Sequence, residues 1–227
     1  MQTFLSKVAF PGPCINPRVK LHSAGWTKVL PSPSHNNKEN MITIVSGLPR
    51  SGTSLMMQML VAGGMQALSD GERRADVDNP RGYLEWERIK QLPNDPGCIA
   101  EAEGKVVKAI SRLLLSLPVG HEYRVIFMQR PLPEVLKSQD EMLRRRGTYK
   151  EGVDPAVIAA AFEKHLNEVY AWLDGKSYVK ALRVPYHNVL SNPGEVAKQV
   201  SDFLEIPLDV DAMTQQVDGS LYRNRAK

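Results

Sequence analysis

Ile42-Thr43-Ile44-Val45-Ser46-Gly47-Leu48-Pro49-Arg50-Ser51-Gly52-Thr53-Ser54-Leu55 decides the fold. Its first four residues are all β-branched, as a strand favours. Gly47, Pro49 and Gly52 then supply the residues of a tight turn. Leu55 to Ala62 is apolar and Met-rich and reads as a helix, with Met56, Met57 and Met59 as core packing. Strand, glycine turn and helix in that order build a phosphate cradle. Turn amides and the positive end of the helix dipole converge on one anion. The spacing from Gly47 to Gly52 nearly fits the pattern G-x-x-x-x-G-K-[ST]. Thr53 stands where that pattern has lysine, and the positive charge falls instead at Arg50, inside the turn. Such a cradle holds a phosphate but lacks the lysine that serves γ-phosphoryl transfer.

A second apolar run, Val125-Ile126-Phe127-Met128, ends at Gln129-Arg130-Pro131, and Glu134 to Ser138 reads as the first turns of a helix. A forked guanidinium and a hydroxyl suit a phosphate monoester dianion. The rest of the chain alternates strand and helix signals. Gly104 to Ile110 reads as a short strand with basic ends, and Ile110 to Leu117 as a helical or buried apolar run. Asp78 to Tyr83 is a turn, and Leu84 to Ile89 begins a helix or a short strand. Ala156 to Leu173 is a long amphipathic helix with Val157, Ala160, Ala161, Leu166, Val169 and Leu173 on one face. Strands separated by helices predict an α/β fold: a central, mostly parallel sheet flanked by helices, with right-handed crossovers. Ligands of such sheets sit at the strand C-terminal ends. Arg50 and Arg130 each follow a strand, so both reach that edge.

Composition agrees. At 227 residues, with 42% hydrophobic and 24% charged, one globular domain is expected. A net charge of +4 suits an anionic ligand. No lysine-rich tract or aromatic-interleaved basic stripe marks a nucleic-acid surface, and no nucleic-acid partner is expected. No apolar run approaches the roughly 20 residues that span a bilayer, so no membrane partner is expected. Cys14 and Cys98 lie far apart and match no metal spacing, which makes a reducing cytoplasm the simplest setting. Residues 1–40 hold Pro11, Pro13, Pro17, Pro31 and Pro33 and the polar run Ser34 to Asn40. They read as a loosely ordered extension before a domain at 41–227. Met41, directly before the first strand, is a candidate for the biological start.

Pro49 to Ser54 resembles the 5′-phosphosulfate loop of the sulfotransferases that use 3′-phosphoadenosine 5′-phosphosulfate (PAPS). The resemblance implies a P-loop NTPase-like three-layer fold, akin to soluble bacterial members. It puts Arg50 in the loop's basic position, with Ser51, Gly52, Thr53 and Ser54 giving amides and hydroxyls to the 5′-phosphate. The family's 3′-phosphate site is an Arg at a strand end and a Ser eight positions later, which Arg130 and Ser138 match. Val184 to Leu204 is similar to the family's late strand–loop–helix segment, with His187 and Asn188 where an acidic pair is usual. Arg223 and Arg225 are candidates for the basic C-terminal segment that closes the 3′-phosphate site. The resemblance runs from about Met41 to Arg225.

The implied activity is transfer of a sulfuryl group from PAPS, without a metal, to a hydroxyl or amine of a small-molecule or glycan acceptor. Arg50 and the loop amides would neutralise the leaving phosphate. Lys108 lies close to where cytosolic members carry a catalytic His, and no His occurs there. Other branches use a Glu after the cradle helix as general base, and Glu72, Glu85 and Glu87 are candidates in that order. Two further readings stay open: a PAP- or PAPS-binding protein without catalysis, and an atypical P-loop kinase. The acceptor and the oligomeric state are not legible.

Overall fold

The β-branched run at 42–47 becomes an inner strand of one parallel sheet. In this computed structural model the described residues are 40–218, apart from 74, 77, 78, 80, 81, 150, 151 and 153. The expected extension at 1–40 therefore lies, but for Asn40, outside the described residues. The strands are β1 (Ile42–Gly47), β2 (Val106–Lys108), β3 (Tyr123–Gln129) and β4 (Val179–Pro185), in the spatial order β2-β1-β3-β4 and all parallel. The expected α/β class holds: a central parallel sheet flanked by helices.

The inner strand β1 is buried along its whole length because both faces of the sheet are covered, whereas the edge strand β4 carries exposed Lys180 and Arg183. Ile42, Ile44, Val125 and Phe127 join one core with Val169 and Leu173. Val45, Ile126, Met128 and Val184 join the other with Met56, Met57, Met59 and Leu60. The helices are α1 (Thr53–Ala62), α2 (Ser111–Leu114), α3 (Leu132–Arg145), α4 (Pro155–Gly175), α5 (Tyr186–Ser191), α6 (Pro193–Leu204) and α7 (Val210–Thr214). Asp154 caps α4 by accepting from the Ala156 amide at 2.8 Å, and Pro155 opens its first turn. No helix among the described residues is long and apolar enough to cross a membrane.

Two local expectations shift. Leu84 to Ile89 is neither strand nor α-helix. Leu84 has a φ of 47°, Trp86 is extended, and a 3₁₀ turn starts only at Glu87. Val157, Ala160 and Ala161, expected on the buried face of α4, are exposed, Val157 to 58%. The buried residues of α4 are Val169 and Leu173, so its packed face lies in the C-terminal half of the helix.

The strand order positions the site. After β1 the chain builds β2 on one side, then crosses to lay β3 on the other. The C-terminal ends of β1 and β3 thus flank the crevice where such sheets bind ligands. Gly47 lies beside Met128 in the register, and Val45 beside Lys108. The turn after β1, the end of β2 and the residue after β3 meet at one edge.

Candidate active site

At that edge the turn after β1 wraps the first turn of α1. Gly52 adopts a φ of 98°, and a Cβ there would stand 2.4 Å from the Tyr186 ring. Only glycine lets the turn pass that close while in the left-handed region. The N-terminus of α1 has no side-chain cap and no acidic residue in its first turn. Its leading amides have no intrahelical partners. Ser51, 1% exposed, holds a buried hydroxyl with no hydrogen-bond partner among the described residues. An uncapped helix N-terminus fits an anion, while Ser51 itself borders a small pocket with Phe127, Met128 and Tyr170.

A cavity of about 390 Å³ opens from this turn, lined by Arg50, Gly52, Thr53 and Ser54, by Lys108 of β2, and by Arg130 and Ser138. The residues of the two sequence motifs touch. Arg50 Nε donates to Ser138 Oγ at 3.0 Å, and Arg130 Nη1 donates to the Arg50 carbonyl at 3.0 Å. Arg130 also pairs through Nε with Glu134 at 2.9 Å, one helical turn along α3. Its guanidinium lies 4.9 Å from the centre of the Tyr186 ring, a cation–π distance. Burial pushes the Tyr186 phenol above its ordinary value, with Arg130 and Arg50 opposing.

Lys108 reaches the cradle from β2. Its ammonium donates to Ser54 Oγ at 3.2 Å and to the Tyr83 carbonyl at 3.0 Å, and stands 2.8 Å from Glu85 Oε1. Burial draws the Lys108 ammonium below the usual lysine value, and Glu85 works against that shift. Arg73 Nη1 donates to both Glu85 oxygens, at 2.9 and 3.1 Å, and its guanidinium stacks 3.4 Å from the centre of the Tyr83 ring. Tyr83 in turn donates to Asp76 Oδ1 at 2.7 Å.

The three base candidates separate. Glu85 lines the cavity. Glu72 is exposed on its turn, and its amide donates to Asp70 Oδ1 at 3.1 Å. Glu87 pairs with Lys90 on the outside of the 3₁₀ turn. Neither Glu72 nor Glu87 is part of the cavity wall. Arg223 and Arg225 lie outside the described residues. Arg73, Tyr83 and Glu141, which belong to none of the sequence motifs, also line the cavity. Glu141 carried a signal: it follows Ser138 by three positions, so helical period puts both on one side of α3.

Solved structures with a similar fold exist. The chain superimposes on a sulfotransferase from Mycobacterium tuberculosis H37Rv with a TM-score of 0.50, at 15% identity, over 81% of this chain and 73% of that one. The chain has the sulfotransferase fold. The sulfotransferase domain of the olefin synthase of Synechococcus PCC 7002 is also similar, with a TM-score of 0.49 at 17% identity, over 90% of this chain and 85% of that one. No family model and no curated protein sequence matches the chain.

Proposed function

We propose that the chain is a sulfotransferase that takes its sulfuryl group from PAPS. One observation carries this reading: Arg50, Lys108 and Arg130 converge at the crevice around an uncapped helix N-terminus. That donor set fits a ligand with two phosphates. The turn amides, Ser51, Thr53 and Ser54 would hold the 5′-phosphosulfate, with Lys108 beside them. Arg130 and Ser138 would hold the 3′-phosphate. When bound, PAPS supplies the sulfuryl group and a 3′,5′-bisphosphate leaving group. The chain's own contribution is a set of cations and dipoles fixed before the reaction, which lowers the cost of charge growing on the leaving phosphate. Wall residues orient an acceptor hydroxyl or amine in line with them. A small-molecule or glycan acceptor, a metal-free reaction and a cytoplasmic setting belong to the same proposal.

Calorimetric titration of the whole chain tests it. PAP without magnesium is compared with ATP plus magnesium. Metal-independent PAP binding, tighter than ATP, is expected. Preference for magnesium and ATP overturns the reading in favour of an atypical P-loop phosphotransferase. Turnover of PAPS then separates an enzyme from a binding protein.

A further inference from the structure

Segments distant in sequence meet around the Glu85–Lys108 pair. Lys108 arrives from β2, Arg73 from the turn after α1, and Ser54 from the first turn of α1 itself. The Lys108 side chain is 9% exposed and that of Glu85 18%. An ammonium has three protons to donate. Lys108 has three acceptors within reach: Glu85 Oε1 at 2.8 Å, the Tyr83 carbonyl at 3.0 Å and Ser54 Oγ at 3.2 Å. Glu85 completes its own set with Arg73 at 2.9 and 3.1 Å.

We propose that Glu85 is a positioning residue, which clamps the Lys108 ammonium against the phosphate cradle and does not take the acceptor's proton. The catalytic half of this inference rests on the PAPS reading; the clamp itself does not. A carboxylate shared between two cations is a poor proton acceptor. Protonating it would leave the Lys108 and Arg73 charges side by side without their common counter-charge. Burial by itself would raise the Glu85 carboxyl, but Lys108 and Arg73 outweigh it and hold the group below the ordinary carboxylate range. Lysine is a point charge on a flexible stem. Ordering that stem in advance places a fixed cation beside Ser54, where the leaving phosphate of the proposed reaction gains charge. Arg73 keeps the clamp in place from the other side, by stacking on Tyr83 next to the carbonyl that Lys108 uses.

Two measurements on the full chain test this. The first needs no substrate: lysines are acylated with acetic anhydride and the rate at each site is read by peptide mass spectrometry. In Glu85→Gln, Lys108 is expected to label about 10-fold faster or more, since an opposite charge at this range shifts a pKa by at least about one unit. The exposed Lys198 serves as the internal standard, and Glu85→Asp is expected to recover much of the protection. Equal Lys108 rates in wild type and Glu85→Gln overturn the clamp. The second follows sulfate release from PAPS with water as acceptor. The water oxygen bonds to sulfur, the bond from sulfur to the 5′-phosphate oxygen breaks, PAP leaves, and water's protons pass to solvent. Glu85→Gln and Lys108→Met are each expected to slow this step, and the double variant to be no slower than Lys108→Met. A double variant slower by a further factor of about 10 overturns the proposal and makes Glu85 a base. A wild-type chain that neither binds PAP nor cleaves PAPS overturns the sulfotransferase reading, and the labelling result still decides the clamp.

Discussion

Arg130→Ala removes one side chain with two separable jobs. Arg130 and Glu134 pair at 2.9 Å with side chains only 8% and 5% exposed, so solvent screens the pair little. Deleting one partner of such a buried pair costs about 3–5 kcal/mol, because the remaining charge stays buried. The same guanidinium ties the Arg50 carbonyl at 3.0 Å, so its loss also loosens the cradle. Urea unfolding is expected to show a loss of that size. On the ligand side, a hydrogen bond to a charged group is worth about 1.5–3 kcal/mol, so PAP is expected to bind about 10- to 150-fold more weakly by calorimetry. The two effects come apart in Arg130→Met with Glu134→Gln, which removes both charges and roughly keeps the volume. That variant is expected to regain most of the stability and to keep the whole binding loss. PAP bound by it as tightly as by wild type would refute the placing of Arg130 in a phosphate site. A stability loss below about 1 kcal/mol in Arg130→Ala would refute the weight given to the buried pair.

Gly52→Ala puts a Cβ 2.4 Å from the Tyr186 ring at a φ of 98°. Left-handed strain and overpacking together cost at least about 2 kcal/mol, and a thermal midpoint at least about 4 °C lower is expected; an unchanged midpoint counts against the contact. Glu72→Gln, on the exposed turn, is expected to leave PAPS turnover within about twofold. A loss of about 100-fold would return the base to Glu72. The Glu85 carboxyl is depressed in the folded chain. Its contribution to stability is therefore complete above the unfolded value near 4.3 and is lost as the pH falls through the folded value. Unfolding free energies of wild type and Glu85→Gln are expected to differ most at pH 5 to 7 and to converge in acid; a gap that persists in acid refutes the ion-pair account.

Much of the scaffold was legible because it depends on local pattern. The β-branched run before Gly47 and the apolar run before Arg130 read as strands, and both are. Ser138 follows Arg130 by two turns of a helix, so helical period alone brings it back toward the crevice. Glu134 lies four positions after Arg130, the spacing at which opposite charges meet on a helix. The strand order was not legible. Parallel pairs are joined by long crossovers, so which strand neighbours β1 is decided by contacts far apart in sequence.

The turn after α1 shows where such reading stops. Glu72 and Arg73 are adjacent, and the turn that carries them has neither the period of a helix nor that of a strand to say which faces inward. Gly71 turns the chain with a φ of 70° just before them. Arg73 then goes to the wall, where the Tyr83 ring and the Glu85 carboxylate offer stacking and an ion pair at once. Glu72 is left in solvent. The deciding partners lie 10 and 12 positions away in an irregular stretch and were fixed in turn by Lys108 on β2. A carboxylate predicted from the spacing of a motif and a guanidinium selected by packing thus exchange places over a single residue. The cation that results makes Glu85 a counter-charge for two partners, a role that no pattern in the local sequence distinguishes from that of a base.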